Sequence, residues 1–314
     1  MKKFKTLAAV ALMSGALAQN AMAAEPQSCE KVSFAEIGWA DISATTGVAM
    51  TLSEGLGYKT RKVMASVPIA FTGVKKGQID VFLGYWAPSM DAVIEPFLKD
   101  DGVKVLPKAN LEGAKYTLAV PTYAAEAGLK SFQDIAKFKD QLNGKIYGIE
   151  PGNDGNLLIE KMIKNDQYGL GDFRMVESSE AGMLVQVQRA VKKKQPVVFL
   201  GWAPHPMNTQ YDLTYLEGGD DVFGPDFGAA KVYTVVAPDY EARCPNVGKL
   251  LNNLQFSVEI ESQLMEKVLD KQDPKKVAKE WIKANPEALD KWLAGVTTFD
   301  GKDGAAAVKK YVGL

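Results

Sequence analysis

From Val32 onward the chain alternates short apolar runs with amphipathic stretches of helical period. Val32–Ile37 reads as a strand, Ala44–Leu56 as a helix and Thr60–Met64 as a second strand. Pro68 opens a helix that ends before Gly77, Ile79–Leu83 is a third strand, and another helix runs from Pro88 to about Lys99. Val103–Leu106 and Lys115–Val120 read as two further strands, with Asn110 and Gly113 between them. The same order then recurs in Phe132–Leu142 (helix), Lys145–Ile149 (strand), the tight loop Pro151–Gly155 and helix Leu157–Lys164. It continues through strand Phe173–Val176, helix Ala181–Lys193 and strand Val197–Leu200. Strands at Leu213–Leu216 and Lys231–Ala237 flank a Gly/Asp-rich loop. The remainder is helical at Val247–Gln255, Ser257–Leu269, Pro274–Ala284 and Pro286–Leu293, with a short tail or final helix from Gly301. Strands alternating with helices over short connections predict an α/β protein with mostly parallel sheets.

Each alternation ends in nearly the same residues. Val81-Phe-Leu-Gly-Tyr-Trp-Ala-Pro-Ser-Met90 returns as Val198-Phe-Leu-Gly-Trp-Ala-Pro-His-Pro-Met207, and a looser copy stands at Phe34-Ala-Glu-Ile-Gly-Trp-Ala-Asp41. In each, an apolar run stops at a Gly and then presents a Trp, and in two of them a Pro follows that suits a first helical turn. A Trp just beyond a buried strand sits where an α/β fold opens its ligand crevice. Trp39, Trp86 and Trp202 are therefore expected to face one ligand.

The bulk properties set the compartment and the domain count. Lys2, Lys3 and Lys5, the apolar run Leu7–Leu17 and Ala21-Met-Ala23 read as a secretory signal peptide over residues 1–23. Its apolar part is shorter than the roughly 20 residues a bilayer span needs, and no Cys follows the cleavage site, so a soluble periplasmic protein is expected. Loss of the three leader lysines takes the net charge from −1 to about −4. With both signs interspersed, this offers no footprint for nucleic acid or an anionic membrane.

Cys29 and Cys244 are the only cysteines. In an oxidising compartment such a pair predicts a disulfide, worth up to roughly 4–5 kcal/mol for so long a loop. It would tie the mature N-terminus to the last third of the chain. About 290 mature residues are enough for two cores. The expected architecture is two lobes joined by two crossing strands: residues 24–114 plus about 215–314 form the first, and 115 to about 214 the second.

Enzymatic chemistry finds little support. His205 is the only histidine, both cysteines are committed, and no G-x-S-x-G elbow, P-loop or dinucleotide fingerprint occurs. A carboxylate pair stays open as a catalytic option. The aromatic set is more specific. Trp281 and Trp292, on the C-terminal helices, are expected to pack in the core. Trp39, Trp86 and Trp202 share one local slot instead, and several aromatic faces around a crevice attract a cation. Quaternary ammonium groups suit such a box. Asp41 either caps the helix that follows it or places a carboxylate near the bound charge. No Lys or Arg lies in the three motifs to pair with a ligand carboxylate, although the backbone of Pro151–Gly155 could do so. Asn153 either shapes that turn or touches ligand, and Tyr116 either faces the cleft or packs in the sheet.

Ile37-Gly-Trp-Ala-Asp41, Gly84-Tyr-Trp-Ala-Pro88, Lys115-Tyr-Thr117, Gly152-Asn-Asp154 and Gly201-Trp-Ala-Pro-His-Pro206 together carry a resemblance. The mature chain resembles the periplasmic substrate-binding proteins of quaternary-amine (glycine betaine/choline) ABC importers, most closely the choline-binding branch. The resemblance implies a type II-like two-lobed clamp and no catalysis or cofactor. It implies an aromatic box of Trp39, Trp86, Tyr116 and Trp202 around a trimethylammonium group, with Asp41 and Asn153 as polar partners. It also implies a single Cys29–Cys244 disulfide and a monomer that delivers choline to a permease with a cytoplasmic ATPase. Glycine betaine or proline betaine is the alternative ligand within the class, opposed by Asp41. A secreted hydrolase or a sensor domain on the same fold is the distant alternative.

Overall fold

A computed structural model describes residues 24–314. The leader expected over residues 1–23 lies outside the described residues. Nine strands join one hydrogen-bonded sheet: β1 (Lys31–Glu36), β2 (Lys59–Met64), β3 (Val81–Ala87), β4 (Lys104–Pro121), β5 (Lys145–Tyr147), β6 (Arg174–Val176), β7 (Phe199–Ala203), β8 (Leu213–Tyr215) and β9 (Ala229–Val236). Their order is β2-β1-β3-β9-β4-β7-β5-β6, with β8 paired to β4 off this path. The sheet is mixed. β1 pairs in parallel with β2 and β3, and β5 with β6 and β7. The middle is antiparallel, because β9 lies between β3 and β4 while β4 pairs with β7 and β8.

β4 corrects the sequence reading most. Its 18 residues form one strand where two were expected. Asn110 and Gly113 do not break it; they fall at register shifts between β4 and β9, which runs beside it from Lys104↔Val236 to Lys115↔Ala229. Irregular pairing of this kind lets a long strand bend without ending. From Lys115 onward β4 also pairs with β7, so β9 and β4 together link the two parallel portions.

Nine helices of eight residues or more flank the sheet among the described residues: α1 (Ala40–Gly55), α2 (Val67–Lys75), α3 (Asp91–Leu98), α4 (Asp154–Lys164), α5 (Glu180–Lys193), α6 (Pro245–Asn253), α7 (Val258–Leu269), α8 (Pro274–Ala284) and α9 (Gly304–Val312). α1 is built from small residues and is buried nearly all round, packed against α7, α8 and α9. Gly47 permits the closest of these approaches, since a Cβ there would lie 2.7 Å from the Pro274 carbonyl oxygen. The C-terminal segment is no loose tail: α9 buries Val308 and Val312. Phe132–Leu142 forms a 3-10 turn followed by one short α-helical segment rather than a single helix. Cys29 and Cys244 form the expected disulfide across 215 residues.

Trp292 is buried and Trp281 partly buried, their rings 5.7 Å apart, as core packing predicts. No helix among the described residues is long and apolar enough to cross a membrane.

Candidate ligand-binding site

The repeated motifs converge, though the local structure differs from the turn expected. Trp86 lies within β3 and Trp202 within β7, not beyond them. Gly84 and Gly201 are strand residues whose lack of a side chain admits a neighbour. A Cβ on Gly84 would stand 2.5 Å from the Ile42 side chain, and one on Gly201 2.7 Å from Ala119. The prolines that follow take cis peptide bonds, Ala87–Pro88 and Ala203–Pro204, and the next helical turns begin only at Asp91 and Met207. Trp39 holds the N-cap position of α1, four residues earlier than that helix was expected to start. Asp41 therefore sits inside the first helical turn and caps nothing.

Strand register supplies the rest. Tyr116 on β4 is directly opposite Trp202 on β7, their ring centroids 6.4 Å apart. Trp86, two strands away, reaches Tyr116 at 5.9 Å. Phe223 backs Tyr116 edge-on at 6.0 Å. Gly155, the second residue of α4, makes room for the phenol, because a Cβ there would fall 2.2 Å from its oxygen. Trp39, Asp41, Trp86, Met90, Tyr116, Ile149, Asn153, Asp154 and Trp202 line one small cavity. All six residues singled out from the sequence meet there, and Tyr116 faces the cavity rather than packing away from it.

The polar groups are arranged around the rings. Asn153 is the N-cap of α4: its Oδ1 accepts from the Asn156 backbone N–H at 3.1 Å and from the Tyr116 hydroxyl at 2.9 Å. Its Nδ2 donates to Asp154 Oδ1 at 3.1 Å, leaving one N–H free. The Trp39 indole donates to Glu150 at 2.8 Å. The backbone N–H of Ala40, the first residue of α1, donates to Glu180 Oε2 at 2.8 Å. Glu180 Oε1 meets His205 Nε2 at 3.0 Å. Since His205 Nδ1 accepts from the Met207 N–H at 2.9 Å, the ring proton belongs on Nε2, facing Glu180. His205 stands edge-on to Trp202 with centroids 4.8 Å apart. The lone histidine thus supports a wall of the cavity.

Acids dominate this region, and none of the buried polar or charged residues among those described is a Lys or Arg. Burial pushes Asp41 up to about 7, with Glu180 nearby adding to the rise and the Trp86 indole opposing it. Burial likewise lifts Glu150 to about 7 and Asp154 to about 6. Tyr116 is driven well above the ordinary phenol range, again by burial first, so it remains a donor. Asp41 Oδ1 and Asp154 Oδ2 are buried and accept no hydrogen bond. Leaving such oxygens unpaired is costly. No three His, Cys, Asp or Glu side chains among the described residues are placed to hold a metal ion. Ring faces beside acids with no buried basic partner are chemically suited to a compact cation that carries a hydrogen-bonding group.

Sequence reasoning missed Asp154, Glu150, Glu180 and His205 at this site. Asp154 had a local signal, adjoining a candidate contact at a helix start. Glu150 and Glu180 had none, because their partners lie 111 and 140 residues away.

Residues 30–284 match the family described as the substrate-binding domain of ABC-type glycine betaine transport systems, OpuAC. A solved ABC-transporter choline binding protein in complex with choline is 54% identical, with a TM-score of 0.90 over 92% of this chain and 100% of that one. An ABC-transporter choline binding protein in an unliganded semi-closed conformation matches at the same identity and coverage with a TM-score of 0.84. The glycine betaine/carnitine transport binding protein GbuC of Listeria monocytogenes is 34% identical over 164 residues, 52% of this chain and 54% of that protein.

Proposed function

The chain belongs to the substrate-binding family of ABC-type glycine betaine transport systems, and from that premise we propose that its own ligand is choline. The observation that carries this reading is the cavity. Four aromatic rings, Trp39, Trp86, Tyr116 and Trp202, surround it together with two buried carboxylates that each keep an unpaired oxygen. A trimethylammonium group presents methyl surface and no N–H donor, so ring faces hold it better than acceptors do. Each desolvated ring contributes about 2 kcal/mol or more. Asp41 accepts a hydrogen bond from the choline hydroxyl, and the free N–H of Asn153 donates to the hydroxyl oxygen. A betaine carboxylate would meet Asp41 and Asp154 instead, like charge against like.

The two lobes are residues 24–114 with about 215–314, and 115 to about 214. In this reading Trp39, Asp41 and Trp86 belong to the first lobe, while Tyr116, Asn153, Asp154 and Trp202 belong to the second. Closure assembles the box. The higher likeness to the choline-bound relative than to the semi-closed one supports reading this arrangement as the closed form. The leader is removed near Ala23, and the monomer works in the periplasm without catalysis. It passes choline to a permease driven by a cytoplasmic ATPase. The test is intrinsic Trp fluorescence during choline titration: a saturable change at micromolar choline in the wild type and none in Trp86→Ala is expected. Unaltered binding by Trp86→Ala would contradict the box.

A further inference from the structure

Asp154 holds a position that the aromatic box does not require. It is the first residue of α4, 2% exposed, and lines the cavity. Its Oδ1 is taken by the Asn153 amide at 3.1 Å, while Oδ2 has no partner. The ordinary reason for Asp at a helix start is attraction to the helix dipole. That purpose is served on the surface, where the carboxylate keeps its water. Here the gain is smaller than the cost of burial, and the capping work is already done by Asn153. The Ser89 hydroxyl and the first backbone N–H groups of α4 lie near enough to ease the carboxylate's burial, yet none forms a hydrogen bond to Oδ2, which leaves that oxygen available to a ligand. Nothing on the protein's side is cationic, since no Lys or Arg is buried among the described residues.

We propose that Asp154 is a second anionic contact for the ligand and a determinant of specificity, selecting an ammonium alcohol over a zwitterion alongside Asp41. The inference rests on the choline reading above and deepens it. The two acids come from different helix starts, Asp41 on α1 and Asp154 on α4, and both line the one cavity, so a small ligand held there meets two carboxylates. The single positive charge of choline is attracted by both. Glycine betaine brings its own carboxylate into a space where each acid repels it, and removing one acid's charge relieves part of that repulsion. The ordinary range of a carboxylate is also exceeded at Asp154, through burial, so a bound cation should draw its proton off.

Calorimetric titration of choline and glycine betaine into wild-type protein and Asp154→Asn tests this. The substitution keeps an acceptor for Asn153 while removing the charge. Choline affinity should fall about tenfold or more, the scale of a lost charge-assisted contact. Glycine betaine affinity should hold or rise, so that the preference between the two collapses. Equal losses for both ligands, or none, would overturn the proposal and leave Asp154 a structural residue. Carboxyl-carbon NMR of the wild type gives a readout that does not depend on the variant folding. Near pH 6, choline should move the Asp154 resonance to its ionised position, and an unmoved resonance at saturation overturns the proposal equally. Absence of choline binding by the wild type would instead bring down the choline reading itself, and this inference with it.

Discussion

Two helices begin at the cavity, and they are capped in different ways. α4 is complete in itself: Asn153 accepts from Asn156 three residues on, and the same oxygen takes the Tyr116 hydroxyl. α1 has Trp39 at its N-cap, which supplies no capping side chain. Its Ala40 N–H is held by Glu180, and the Trp39 indole by Glu150, both from the far part of the chain. One wall of the cavity is thus held by local bonds, and the other by distant segments of the chain. If the proposed lobes open, that second helix start would lose its protein partners for an N–H and an indole, which would tie closure to ligand.

The sharpest way to break this contrast is Trp39→Ala, which removes a box ring and the tie to Glu150 together. Choline affinity should fall by about 3 kcal/mol or more, roughly a hundredfold, in a fluorescence or calorimetric titration. Glu180→Gln comes next. It weakens the borrowed cap of α1 without touching ligand, so affinity should fall about tenfold, mainly through faster dissociation in stopped-flow. The melting temperature without choline should move little. Asn153→Ala should behave in the opposite way. It removes an ordinary N-cap, worth about 1 kcal/mol, so the ligand-free protein should melt earlier as well as bind less well. If Glu180→Gln destabilises the ligand-free protein as much as Asn153→Ala does, the distinction between the two helix starts is lost.

The smallest effect is that of pH. Asp41 has its folded value raised to about 7. A permanent cation favours the ionised form, so choline affinity should fall about twofold between pH 8 and 7 as Asp41 becomes half protonated. Stability of the ligand-free protein runs the other way for this group. A raised value makes the folded state bind more protons than the unfolded one between about pH 4 and 7. That contribution is fully present below pH 4 and is lost as pH rises through about 7. The stabilisation by choline, read as a shift in melting temperature, should therefore grow from pH 6 to 8 and grow less in Asp41→Asn.

Much of the fold was legible because hydrophobic period is a local property: β1, β2 and α8 lie within a residue or so of where the pattern puts them. The repeated motif singled out Trp39, Trp86 and Trp202, which the fold brings to one cavity. What misled was the glycine in it. Gly84 and Gly201 look like strand ends, but they serve close packing against Ile42 and Ala119, a reason visible only in three dimensions. The start of α1 was missed because helix starts are recognised by a capping side chain nearby, and here the partner is Glu180, 140 residues away. β4 was divided in two for a related reason: Asn110 and Gly113 signal a turn locally, while pairing with β9 carries the strand past them. Convergence of the four rings required the register Tyr116↔Trp202 and the order β3-β9-β4-β7, which no single motif contains.

The central claim is that the rings of Trp39, Trp86, Tyr116 and Trp202 hold a quaternary ammonium between them, with acids at hand and no cation of the protein's own. A crystal structure grown with choline tests it most directly. The ammonium nitrogen should lie within about 6 Å of all four ring centroids, with the hydroxyl on Asp41 and Asn153. An ammonium group lying outside the rings, or a hydroxyl pointing away from both residues, would contradict it.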